Sequence, residues 1–153
     1  MSEAKRILDL LDELYNGKPW IDVNIIDNLK PLKATTAAKK IGADWNSIWQ
    51  IVNHLLGWRN HIMQNLDGGK LTSPSHNYFH PVEDTSEAAW QATLQSFAGS
   101  QQAWQAYLQE LPDDELYKTM EGHKYNNYQY IQGILQHDAY HLGQIAMLAK
   151  HGK

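Results

Sequence analysis

The stretch YQYIQGILQHDAYHLGQIAMLAK, residues 128–150, decides how the chain is read. At 100° per residue, Ile131, Ile134, Leu142, Ile145 and Ala149 fall on one apolar stripe, so the stretch reads as a single amphipathic helix. Asn126 or Asn127 can cap its start, and Lys150 with Gly152 makes an ordinary end. His137 and His141 lie on the flank of the stripe, and Asp138 lies near its middle. Residues four apart on a helix are neighbours, so the two imidazoles can close on one metal ion. Two ligands are not a site, and a third must come from elsewhere in the chain. With 8 histidines in 153 residues, one such pair by chance is unsurprising. A second pair does exist, His76 and His80, but it lies between Pro74 and Pro81 where no helical pattern gives the spacing meaning.

Outward from this helix the chain is helical too. Ile7, Leu8, Leu11, Leu14 and Tyr15 mark a first helix from Ser2 to Asn16, stopped by Gly17. Asp22 to Leu32, with Ile25, Ile26 and Leu29, reads as a short extra helical segment. Residues 33–46 read as loop with a turn near Thr36 to Ile41. A second long helix runs from Ser47 to Leu66, and Ser47 with Gln50 fits a capping box. Its stripe is Ile48, Ile51, Leu55, Ile62 and Leu66, with His54 and Trp58 on one edge. His61 is two turns beyond His54, about 10 Å along the axis, so the two cannot share an ion as neighbours. After a loop rich in Ser, Pro and His, a third helix is expected from Asp84 or Thr85 to about Glu110. Its heptad-like row is Trp90, Leu94, Phe97, Gln101, Trp104, Leu108 and Leu111. Residues 113–127 read as an irregular connection with short extended pieces. The fold class expected is therefore all-α: a four-helix bundle in one domain, residues 1–153, with a long connection before the third helix.

Composition narrows the function. The net charge of −4 argues against a nucleic-acid partner, which calls for a basic face. No apolar run reaches membrane-spanning length and the N-terminus lacks the apolar core of a signal peptide, so a cytoplasmic protein with no membrane partner is expected. There is no cysteine, so any thiol chemistry needs an external thiol.

The segments NSIWQIVNHL, residues 46–55, and QHDAYHLGQI, residues 136–145, together resemble the DinB/YfiT-like superfamily of metalloenzymes. The resemblance spans nearly the whole chain. It implies an up-down-down-up bundle and a three-histidine site made of His54, His137 and His141. It also implies a divalent metal, zinc or nickel, and relatives that act as thiol-dependent transferases or isomerases and are often homodimers.

Three neutral imidazoles leave a coordination position open, which is the mark of a catalytic site. Nitrogen ligation by itself suits zinc, nickel, copper or iron. Asp138 has two readings: a carboxylate that orients a ligand histidine from behind, or a buried acid paired with Arg59 or a tyrosine. Trp58 and Gln144, each one turn past a candidate ligand, are candidates for the pocket wall. HDAYH is not the HExxH of zinc proteases: Asp138 is a methylene shorter than the glutamate base, and position 147 is Met where the extended motif has a histidine. The reading is a metal-dependent transferase or hydrolase acting on a small molecule, with a low-molecular-weight thiol as the candidate co-substrate. The alternative is a non-catalytic, stress-related metal-binding module.

Overall fold

The computed structural model describes residues 1–151, all of its regular structure helical. The stop expected at Gly152 lies outside the described residues. Four long helices carry the fold: α1 (Glu3–Asn16), α4 (Ile48–Asn65), α5 (Glu87–Glu110) and α7 (Asn127–His151). Three short ones lie between them: α2 (Ile25–Leu29), α3 (Ala34–Ala38) and α6 (Asp113–Leu116).

Local chemistry sets most of the ends. Ser2 and Ser86 cap α1 and α5 by accepting from the backbone N–H three residues on. Ser47 and Gln50 form the reciprocal capping box that starts α4. Asn126 and Gln129 make the equivalent pair of bonds at the start of α7. Such caps each contribute on the order of 1 kcal/mol.

Three expectations change. The loop expected at residues 33–46 contains α3, whose first N–H is satisfied by Glu87 Oε1 at 2.7 Å, 53 residues away. The third long helix starts at Glu87 rather than at Asp84 or Thr85, because Asp84 bonds the N–H of Ser86 and leaves Ser86 to serve as the cap. The extended pieces expected after Pro112 are absent among the described residues. The single turn α6 stands there, and its Asp113 carboxylate accepts from the N–H groups of Glu3 and Ala4 at the start of α1.

Contacts along the helices give their senses. Asp113, just past α5, meets the start of α1, while Tyr15 near the end of α1 meets Phe97, so α1 and α5 run antiparallel. Trp49 meets Trp90, and further along Arg59 meets Gln101, so α4 and α5 run parallel. Tyr128 at the start of α7 bonds Glu3 at the start of α1, so those two run parallel.

The core divides into two apolar halves. One gathers Tyr15, Ile51, Leu55, Phe97, Leu142 and Ile145. The other gathers Leu8, Ile62, Leu66, Trp104, Leu108 and Ile131. Between them each long helix contributes a polar residue, Asp12, Arg59, Gln101 and Asp138, and the candidate site lies beside that layer.

Candidate metal centre

His54 stands on α4, and His137 and His141 on adjacent turns of α7. Antiparallel packing of these two helices brings the three rings together. His137 Nε2 lies 2.9 Å from His54 Nε2 and 3.1 Å from His141 Nε2. An ion with metal–nitrogen bonds of about 2.0–2.1 Å and right to tetrahedral angles sets its ligand nitrogens about 2.9–3.4 Å apart. Both of these separations meet that requirement, all three ligand atoms lie within 4.8 Å of one another, and among the described residues this is the group of three or more potential ligands gathered closely enough to hold a metal ion.

The far side of two rings is fixed. His54 Nδ1 donates to the Asn77 carbonyl at 2.6 Å, and His141 Nδ1 donates to Gln144 Oε1 at 2.6 Å. A neutral imidazole that keeps its proton on Nδ1 presents a free lone pair at Nε2, the form a metal needs. Burial lowers the pKa of His54 and of His141 from the ordinary value, against the opposing effect of their hydrogen bonds to Asn77 and Gln144. His137 is held at about 3, first by burial, then by His141, His54 and Arg59 nearby. All three are therefore neutral at pH 7. The Nδ1 of His137 is buried with no partner, so no hydrogen bond fixes that ring from behind.

The loop between α4 and α5 supplies a part that has no periodic signature. Asn77 and Tyr78 both adopt left-handed backbone, with φ of 48° and 61°. Such geometry is uncommon outside glycine, although asparagine tolerates it better than most residues. It turns the Asn77 carbonyl onto His54 and lets Phe79 stack on the same ring, centroids 3.9 Å apart and 7° from parallel. The Asn77 side chain meanwhile accepts from the Trp58 indole at 2.8 Å.

The histidines open into a cavity of about 750 Å³, and Trp58 and Gln144 both line it. Gln144 holds His141 directly. Asp138, fully buried, is not hydrogen-bonded to any of the three histidines. It accepts from Arg59 Nε at 2.9 Å and from Arg59 Nη2, so of its two readings the ion pair is the one seen. Burial raises the Asp138 carboxyl, with the guanidinium pulling the other way. His76 and His80 pair with each other on the exposed loop, away from the cluster of three. His123 bonds the Gly69 carbonyl and ties two loops together.

A helical bundle with three imidazoles converging at a cavity defines a class of protein able to hold a divalent metal. A sequence model of the DinB superfamily matches residues 5–145, and the chain belongs to that family. Among curated proteins and among solved structures no match is found. No helix among the described residues is long and apolar enough to cross a membrane.

Proposed function

We propose that the protein is a metal-dependent enzyme acting on a small molecule, a transferase or hydrolase, with His54, His137 and His141 as ligands of zinc or nickel. The observation that carries this reading is the convergence of three neutral Nε2 atoms at the wall of a cavity large enough for a small substrate. A structural site would be closed by a fourth protein ligand, and among the described residues no further His, Cys, Asp or Glu joins this group.

A divalent ion there would supply Lewis acidity toward a water or a thiol, the thiol coming from outside because the chain has no cysteine. The chain's own residues do the positioning. The Asn77 carbonyl and Gln144 fix the tautomers of His54 and His141, while Phe79 and Trp58 wall the site. Among the described residues, no Asp, Glu, Lys or Arg lines the cavity.

Elemental analysis tests the ligands. His54→Ala, His137→Ala and His141→Ala should each lose stoichiometric metal, whereas His76→Ala and His80→Ala should keep it. Full metal in the His54 variant would sink the three-ligand site. The reading extends to a homodimer in the cytoplasm, on the resemblance to family members that pair. A solution mass of one 17.5 kDa chain across the micromolar range would refute the dimer.

A further inference from the structure

A second hollow, of about 760 Å³, adjoins the histidine cavity, and the side chains of Asn46 and Gln144 line both. Asn46 directly precedes the Ser47 cap of α4, and Gln144 is the residue that holds His141. The residues common to the two spaces are thus neutral amides, one of them already part of the histidine site.

The two spaces differ in chemistry. The first is lined by imidazole, amide, hydroxyl and aromatic groups with Ile62 and Ile134, and among the described residues by no Asp, Glu, Lys or Arg. The second combines five apolar residues with Asp44, Asn46, Gln144 and His151. Ile51 and Leu148 are buried at its base, while Ile41, Trp45 and Met147 border it at 46%, 55% and 62% exposure. The Trp45 ring is seated over Gly42, where a Cβ would lie 3.0 Å from ring Cδ1. Single exposed apolar side chains need no explanation; here three border one hollow that shares lining residues with the histidine cavity. The shared wall says what fits: a molecule with a polar head at the histidines and an apolar extension that passes Gln144.

We propose that the groove between Trp45 and Met147 is the subsite for an uncharged alkyl or aryl tail of the substrate whose polar head lies against His54, His137 and His141. This rests on the reading of the histidines as a metal site. The tail is held chiefly by burial of apolar surface, with Asp44 and His151 as the titratable residues that also line the hollow.

The test uses straight-chain hydroxamates, from acetohydroxamate to octanohydroxamate, titrated calorimetrically into the metal-loaded protein, with elemental analysis of the same sample. Affinity should rise about two- to fourfold per methylene until the groove is filled. Trp45→Ala and Met147→Asp should each bring the ratio of octano- to acetohydroxamate affinity down toward one. Stoichiometric metal with homologues that bind equally tightly overturns the subsite. Chain-length dependence without stoichiometric metal keeps the subsite and removes the metal reading. Absence of both metal and binding overturns both. If the two variants change the solution mass and not the chain-length dependence, the face joins copies of the chain and the proposal fails.

Discussion

At the scale of single residues, the three histidines are kept neutral by where they sit. Unfolded, each takes up a proton near pH 6.5. Folded, His137 resists protonation until about pH 3, and His54 and His141 are lowered as well. The folded chain therefore binds fewer protons than the unfolded chain below pH 6.5, and linkage makes its stability fall as the pH falls. The loss is up to about 1.4 kcal/mol per pH unit for each histidine charged in the unfolded chain and neutral in the folded one. Bound metal steepens the dependence, because protons and metal compete for the same nitrogens. Urea midpoints of the metal-free protein should drop between pH 7 and pH 4.5, and by less in His137→Ala. An equal drop in the two proteins would show that His137 is not held neutral. The three histidines were legible in the sequence because helix periodicity and the family motifs mark the faces of α4 and α7. Their partners were not equally so. Gln144 stands one turn from His141 and can be counted off, but Asn77 and Phe79 reach His54 through two consecutive left-handed residues, for which the sequence carries no periodic signal.

At the scale of elements, the loop after α4 is held to that helix by a missing side chain. A Cβ at Gly57 would lie 2.2 Å from Tyr78 Cγ and 2.4 Å from Tyr78 Cδ1. Glycine inside a helix costs about 1 kcal/mol relative to alanine, so helix propensity alone would favour Gly57→Ala. The close approach reverses that sign, since Tyr78 must move, and with it Asn77 and Phe79. Overpacking of this kind typically costs 1–3 kcal/mol, and the loss should be accompanied by weaker metal binding as the carbonyl leaves His54. Thermal unfolding and a metal-competition titration check the pair of effects. A Gly57→Ala protein more stable than wild type, with unchanged metal affinity, would show that the loop does not clamp the site. The same scale explains which elements were foreseeable. The starts of α1 and α4 carry local caps, so the sequence places them within a residue. Helix α3 has no local cap and depends on Glu87 from a distant part of the chain, information that no window of neighbouring residues contains.

At the scale of the whole molecule, the polar layer is where all four long helices are tied together. Arg59 on α4 donates to Asp138 on α7 and to Gln101 on α5, and Gln101 and Gln105 both donate to Asp12 on α1. Arg59 and Asp138 are 1% and 0% exposed, so each is compensated chiefly by the other. Removing one charge leaves its partner buried and uncompensated, at a cost of about 3–5 kcal/mol. Replacing a buried pair by apolar groups of similar volume is often neutral or stabilising. Arg59→Leu and Asp138→Leu should thus each destabilise strongly, whereas the double variant should lie well above the sum of the two losses. Such non-additivity is expected of residues in direct contact. A second effect is expected on register: a pair that ties α4 to α7 beside His137 should help decide whether His54 arrives opposite His137 and His141. The double variant should accordingly fold with near-normal stability yet bind metal more weakly than wild type, because apolar side chains at 59 and 138 permit neighbouring registers that the ion pair forbids. Denaturation by urea and metal stoichiometry on the three variants separate these effects. Additive losses would show that the pair contributes no specific coupling, and full metal affinity in a stable double variant would show that the register is set by the two apolar halves alone.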